Sequence, residues 1–200
     1  MKNVYHLLAA IALSMLFVSQ SYAGFITYNV NRDVGLSSVI GTITTDGTIG
    51  VLDDDNIKSF SLTLMDSTYT QLITENNGGT HFVSSGNVFP GPTVGSPLTA
   101  TATQLVFDFL STGFIHFQLK PVDTGTPFWC LAGVNSTSHC VGATGAESIK
   151  VSKAPPVSYT SQNKSQGVVV ANVVPEPSII VLFGLGLLGL GFARRRKTHY

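Results

Sequence analysis

The segment that decides the fold runs from residue 105 to residue 119 and reads LVFDFLSTGFIHFQL. Apolar side chains recur at every second position in both halves of this segment, which is the periodicity of a β-strand with one buried face. Residues 111–113 separate the two halves and have the composition of a short hairpin loop that ends in glycine. We therefore predict a β-hairpin whose apolar face packs against a second sheet. Its predicted cross-strand pairs are Leu105 with Leu119, Phe107 with Phe117, and Phe109 with Ile115.

The same alternation recurs along the chain between its two termini. Phe60, Leu62 and Leu64 alternate with hydroxyl side chains, and residues 41–52 read as a second hairpin that turns at Asp46 and Gly47. Strands separated by Gly, Pro and Asn turns predict an all-β domain, an antiparallel β-sandwich of about ten short strands with jelly-roll-like topology. The further strands are predicted at 25–31, 68–74, 80–84, 147–151, 156–160 and 167–173.

The N-terminus, residues 1–23, has the pattern of a secretory signal peptide. Lys2 gives it a positive start, an apolar run follows, and the segment closes with a small-x-small sequence that ends at Ala23. We expect signal peptidase to cut after Ala23. A permanent membrane anchor is the alternative, which the short apolar run and the cut site disfavour. The body, residues 24–173, is therefore predicted to be exported.

Three features stand in order in the C-terminal segment, residues 174–200. A rigid Pro-Glu-Pro tripeptide comes first, an uncharged apolar helix is predicted over 178–193, and a basic cluster follows. The 16 residues of this helix span about 24 Å, less than the roughly 30 Å of a bilayer's hydrocarbon core. Basic side chains stay on the cytoplasmic side of a membrane, so the body would lie on the other side. The tripeptide is Pro175, Glu176 and Pro177, and the basic cluster is Arg194, Arg195, Arg196 and Lys197.

This order of features resembles the PEP-CTERM sorting signal of Gram-negative bacteria, including the glycines within the helix. The resemblance implies processing by exosortase, a membrane cysteine protease, while the helix is held transiently in the inner membrane and the body lies in the periplasm. It also implies a final place at the cell surface or in the exopolysaccharide matrix. The alternative is an ordinary single-pass anchor that is never cut.

Two cysteines, Cys130 and Cys140, lie in the part of the chain that is predicted to be exported. Because export leads into an oxidising compartment, we predict that they form a disulfide. The bond would close a loop of 11 residues and stabilise the body by about 2.8 kcal/mol in the chain-entropy model. A Cys-His nucleophile pair is the alternative, and it would need a reduced thiol.

The charge of the body bears on its partners. It carries six basic and ten acidic side chains, a net charge of −4, although the whole chain sums to zero. A mildly acidic surface has no basic patch for phosphates, so we expect no nucleic-acid partner. We also expect no cofactor.

Candidate chemistry in the body is sparse. In the predicted hairpin Asp108 faces His116, which could form a carboxylate–histidine pair, but no nucleophile motif accompanies it. The acidic residues 53–55 have the oxygen ligands of a calcium site but lack the EF-hand spacing, so we interpret them as a turn before a strand. The histidines of the body are too scattered for a zinc motif, so we expect neither catalytic residues nor a metal. They are His81, His116 and His139.

Three functions remain open for the body. The first is a non-enzymatic protein of the cell surface or of the exopolysaccharide matrix. The second is a lectin-like module that binds extracellular polysaccharide through exposed aromatic side chains. The third is a polysaccharide hydrolase, which needs two carboxylates across a cleft that the sequence cannot place. The candidate aromatic side chains are Tyr69, Phe82, Phe89, Phe128, Trp129 and Tyr159.

Overall fold

The computed structural model describes residues 24–84, 96–119, 126–134, 140, 145–152, 158–162 and 165–174. The predicted signal peptide, Ala23, the Pro-Glu-Pro motif, the helix over 178–193 and the basic cluster lie outside this part of the chain. Within it, no helix is long and apolar enough to cross a membrane.

The described residues form antiparallel strands joined by turns, as the sequence predicts. Two short 3-10 turns, Asp54–Asn56 and Glu75–Asn77, are the helical elements among these residues. The strands in chain order are β1 (Ile26–Val34), β2 (Ser37–Thr45), β3 (Gly50–Val51), β4 (Ile57–Met65), β5 (Thr70–Thr74), β6 (Gly79–Ser84), β7 (Leu98–Ala100), β8 (Gln104–Phe107), β9 (Phe114–Leu119), β10 (Phe128–Ala132), β11 (Ala146–Lys150), β12 (Ser158–Gln162) and β13 (Val168–Val173).

The strands form two antiparallel sheets that share one hydrophobic core. The larger sheet has eight strands in the order β3-β7-β8-β13-β1-β2-β4-β5, and the smaller has five in the order β12-β11-β10-β9-β6. Phe117 of the five-stranded sheet meets Phe60 of the eight-stranded sheet edge-on at 5.1 Å and stacks on Trp129 at 5.5 Å between ring centroids. The Phe60–Phe117 contact joins the apolar faces of the two sheets, as the alternation predicts.

The order of strands differs from the jelly-roll-like topology that we expected. Strands β9 to β12 follow one another as a meander in the smaller sheet, and β1, β2, β4 and β5 lie side by side in the larger one. A jelly roll is built instead from two Greek keys, which long connections create. Short turns between neighbouring strands, such as the one at Gly35 with its φ of 62°, favour the meander here.

The predicted hairpin over 105–119 is wrong in its pairing. β8 lies between β7 and β13 in the eight-stranded sheet, whereas β9 lies between β10 and β6 in the other sheet. The connection crosses between the sheets, and other segments satisfy its backbone: Phe109 N–H donates to Ser165 O and Val134 N–H donates to Phe109 O. The alternation shows which face of each strand is buried, but the same buried face fits any partner strand.

The second predicted hairpin, over residues 41–52, is also wrong. The chain does turn at Asp46 and Gly47, where Thr48 N–H donates to the Asp46 carboxylate at 3.0 Å and Gly47 has a φ of 86°. After the turn, however, β3 pairs with β7, while β2 pairs with β1 and β4. A turn signal predicts that the chain changes direction, but it does not determine which strand the next segment pairs with.

Six further strands are confirmed at the expected places, with ends shifted by a few residues: β1, β5, β6, β11, β12 and β13. β10 was missed because it is buried on both faces and therefore shows no alternation. Its inward side chains join the main core, and its outward ones form a second apolar cluster on the far side of the five-stranded sheet. The residues of this outer cluster are Phe114, Phe128, Cys130, Ala132 and Cys140.

The predicted disulfide is confirmed between Cys130 and Cys140. Cys130 belongs to β10 and is fully buried, and Cys140 is 6% exposed in the outer cluster. The bond therefore attaches Cys140 to the outside of the five-stranded sheet, beside Phe114 and Phe128.

Replacing both cysteines, Cys130→Ala with Cys140→Ala, should lower the free energy of unfolding by about 2.8 kcal/mol, because the unfolded chain gains the freedom of an 11-residue loop. Urea denaturation of the double variant and of the reduced wild type should agree. A double variant within about 0.5 kcal/mol of the oxidised wild type would show that the bond does not constrain the chain.

Candidate functional site

The most connected polar group in the described part of the chain is a buried ion pair between the two sheets. Arg32 Nε donates to Glu147 Oε1 and to Oε2, both at 2.9 Å, and Nη2 donates to Oε2 at 2.6 Å. Trp129 Nε1 donates to Glu147 Oε1 at 2.8 Å. The Glu147 side chain is 1% exposed and that of Arg32 is 19% exposed. We call these three side chains the buried joint.

Strand periodicity places the two charged members of the buried joint on the core-facing sides of their strands. Arg32 falls in the inward phase of β1, with Tyr28, Val30 and Val34. Glu147 falls in the inward phase of β11, two residues before Ile149. The remaining Arg32 nitrogen, Nη1, donates to Val169 O at 2.9 Å, beside the irregularity in β13 between Val169 and Ala171.

Sequence reasoning missed the buried joint, although a signal was present. Glu147 begins the strand predicted at 147–151, in phase with Ile149, and Arg32 directly follows the strand predicted at 25–31, in phase with Tyr28 and Val30. The two side chains carry opposite charges. A charge in such a position needs a buried partner, because an unpaired charge in the core is strongly destabilising. Pairing the two would have placed β1 opposite β11.

The geometry of the buried joint suits a role in stabilising the fold. Donors from Arg32 and Trp129 hold both Glu147 oxygens within hydrogen-bond distance. A carboxylate used as a general acid or base must reach a substrate atom. Glu147 instead lies among core side chains, and its donors come from both sheets.

A second cluster of ionisable groups surrounds His81 at the edge of the five-stranded sheet. His81 Nε2 lies 3.8 Å from Asp54 Oδ1, and Nδ1 lies 3.8 Å from Glu75 Oε1. The two ring nitrogens face different carboxylates, so the three side chains do not converge on one point. Among the described residues, no group of three or more His, Cys, Asp and Glu side chains could hold a metal ion.

The acidic residues 53–55 form a turn before a strand, as we interpreted them. Asp54–Asn56 is a 3-10 turn that leads directly into β4. The Asp54 carboxylate also accepts a hydrogen bond from Val83 N–H in the edge strand β6, at 2.9 Å. It thereby occupies one of the edge amides that would otherwise be open to pairing with another chain.

The expected Asp108–His116 pair is wrong, because the two residues lie with different sheets. The Asp108 carboxylate accepts a hydrogen bond from Leu110 N–H at 2.8 Å, within its own turn. His116 lies in β9 opposite Cys130 and Phe82, with its ring edge-on to Phe128 at 4.9 Å. The candidate carboxylate–histidine pair is therefore not formed.

The aromatic candidates for sugar stacking are mostly unavailable. Trp129 and Phe128 are buried, and Phe89 lies outside the described residues. Phe82 and Tyr69 are partly exposed, at 50% and 37%. Tyr159 is half-buried and donates its hydroxyl to Asp66 Oδ2 at 3.0 Å. Of the six candidates, only Phe82 and Tyr69 thus lie exposed among the described residues, as two separate rings that form no aromatic platform.

Two aspartates in turns have carboxylates that accept several hydrogen bonds. The Asn56 side chain, and after it Thr48, lower the pKa of Asp46 to about 2. Backbone amides of Tyr69 and Thr68 lower the pKa of Asp66. Both carboxylates are therefore ionised wherever the body is folded near neutral pH.

The comparisons with known proteins identify the tail. A family model described as the PEP-CTERM protein-sorting motif matches residues 173–197. The chain is therefore an exported protein of the kind that exosortase, a membrane protein, processes and sorts to the cell surface. It is a PEP-CTERM domain-containing protein, and the resemblance drawn from the sequence is confirmed. The chain has no significant match among curated proteins or among solved structures.

Glu147→Gln should destabilise the body by about 3–5 kcal/mol, because it leaves the Arg32 charge in the core without its counter-ion. Glu75→Gln is the matched control, since the Glu75 side chain is 42% exposed, and it should cost less than about 1 kcal/mol. Urea denaturation of the two variants measures both effects. Equal, small losses would contradict a structural role for the buried joint.

The Asp46 carboxylate should make the stability of the body depend on pH in the acid range. The folded pKa of the Asp46 carboxyl, about 2, lies below its ordinary value of 3.8, so the stability that this carboxylate contributes is present above pH 4 and is lost as the pH falls towards 2. Asp46→Asn removes this titration, and its melting temperature should fall less steeply over that range. Above pH 5 the curves of variant and wild type should run parallel. Equal slopes between pH 4 and pH 2 would contradict the assignment.

Proposed function

We propose that the chain is a non-enzymatic protein of the cell surface or extracellular matrix, whose β body is delivered by the tail. Signal peptidase would cut after Ala23, and the helix over 178–193 would hold the chain in the inner membrane with the body in the periplasm. Exosortase would then act at Pro175–Pro177. The sorting motif at 173–197 is the observation that carries this proposal.

The position of the last strand supports a tail that can be removed without harm to the body. β13 lies inside the eight-stranded sheet, between β1 and β8, and ends at Val173. The next residue, Val174, still donates its N–H to Thr27 O at 2.9 Å. The sheet therefore extends to within one residue of Pro175, and processing at the motif would leave every described strand in place.

Both ends of the body also leave the sheet on neighbouring strands. Tyr28, near the start of β1, pairs with Val173 at the end of β13. The signal peptide and the sorting helix would therefore join the body at the same end of the eight-stranded sheet. This arrangement allows a body held at both ends by membrane segments to fold without threading one end through the sheet. The disulfide is also consistent with folding in the periplasm, which is an oxidising compartment.

Replacing the motif by Pro175→Ala, Glu176→Ala and Pro177→Ala together should abolish processing, so that the chain stays in the membrane fraction and ends at Tyr200. The wild type should give a matrix or surface species that ends near Glu176 or carries added mass there. Intact mass of both fractions from the native host measures the difference. Ser178→Ala, just outside the motif, is the matched control and should be processed normally. A wild-type chain that still ends at Tyr200 would contradict the proposal.

A further inference from the structure

The outward face of the eight-stranded sheet carries two continuous rows of uncharged side chains. Each row runs across neighbouring strands at directly paired positions, so its members lie side by side. The first row, called the amide–hydroxyl row, is Gln104, Asn172, Asn29, Thr42, Ser61 and Thr74. The second, called the mixed row, is Asn31, Ile40, Thr63 and Leu72.

The residues of both rows point away from the core. Their neighbours in sequence, such as Tyr28, Val30 and Leu62, are fully buried, and alternation sends the side chains of the rows to the opposite face. Asn29, Asn31 and Ser61 are exposed. The rows are also ordered at one end, where Gln104 Nε2 donates to Asn172 Oδ1 at 3.3 Å.

A depression of about 380 Å³ lies where the two rows adjoin. Gly41 contributes to its lining, and a Cβ at this position would collide with the carbonyl oxygen of Ser61. With a φ of 147°, Gly41 also has a backbone conformation that side chains rarely adopt. A bare glycine therefore lines the depression at the centre of a polar face. The surrounding side chains are Asn29, Asn31, Ile40, Ser61 and Thr63.

The chemistry of this face selects one class of ligand. Amide side chains each offer two donors and one acceptor oxygen, and hydroxyls offer both roles, so the face matches a ligand rich in hydroxyl groups. Neither row contains Lys or Arg, so a polyanion finds no counter-charge there. Ile40 and Leu72, 41% and 46% exposed, add apolar contact for carbon–hydrogen surfaces. The amide–hydroxyl row crosses six strands and the mixed row crosses four, which suits an extended polymer better than a small molecule.

We propose that these rows and the depression bind an extended, uncharged polysaccharide. Amides and hydroxyls of the amide–hydroxyl row bind sugar hydroxyls, and Ile40 and Leu72 contact the apolar faces of the sugar rings. The inference rests on the proposed function in one respect, since export places the face where extracellular polymers are found. It differs from the aromatic mode expected from the sequence, because neither row contains an aromatic side chain.

Affinity electrophoresis of the full chain tests the proposal. The chain, in a detergent without a sugar headgroup, runs in native gels that contain dextran, hydroxyethyl cellulose or galactomannan, and in gels that contain anionic alginate. We expect retardation by at least one uncharged polymer and none by alginate. Asn29→Ala with Asn31→Ala should weaken that binding at least tenfold and leave the melting temperature unchanged.

A matched control removes two hydroxyls from the other sheet. Ser158→Ala with Thr160→Ala changes exposed side chains of β12 and should leave binding unchanged. Absence of retardation by all three uncharged polymers would overturn the proposal, and so would preference for alginate or equal effects of the two double variants. Processing of the tail is measured separately by intact mass. A processed chain that binds no polymer would overturn this inference alone, and an unprocessed chain that binds would overturn the proposed function alone.

Discussion

The fold depends most directly on the buried joint between Arg32, Glu147 and Trp129. These side chains come from β1 in one sheet and from β11 and β10 in the other. The Arg32–Glu147 hydrogen bonds cross between the sheets at 2.6–2.9 Å, and the Trp129–Glu147 bond supports them from within the five-stranded sheet. Apolar packing alone would allow one sheet to shift against the other, because an apolar side chain can pack against many different neighbours. A charged pair in the core does not allow such a shift, since moving one strand by one residue would leave a buried charge without its partner. The joint therefore fixes how the sheets face each other.

This constraint gives the two sheets different roles. The inner strands β10 and β11 of the five-stranded sheet are buried on both faces. One face joins the shared core, and the other carries the outer cluster that contains the disulfide. The eight-stranded sheet is covered on one side, and its other side presents amides and hydroxyls. Both ends of the body leave from neighbouring strands of this sheet. The two ends of the body and the polar face thus belong to the same sheet, and the smaller sheet packs against the other face of that sheet.

The sequence predicts the local structure of this chain better than its connections. Alternation at Phe60, Leu62 and Leu64 correctly shows a strand with one buried face, because side-chain direction is a local property. The partner of a strand is a property of the whole fold, which is why the segment 105–119 was placed in one hairpin instead of two sheets. β10 gave no alternation because covered faces are apolar on both sides. Arg32 and Glu147 lie 115 residues apart. The sequence signal that links them is that each is a charged residue at a position where the alternation calls for an apolar one. The tail differs, since its motif is recognised from residue order alone.

A double-mutant cycle on the buried joint tests the account most directly. Arg32→Met, Glu147→Met and the double variant would be compared with the wild type by urea denaturation. Because each single change leaves one charge buried and the double change leaves none, we expect both singles to be more destabilised than the double variant. The coupling free energy should exceed about 2 kcal/mol. Additive losses, with a double variant as unstable as the sum of the singles, would show that the two charges do not hold the sheets together.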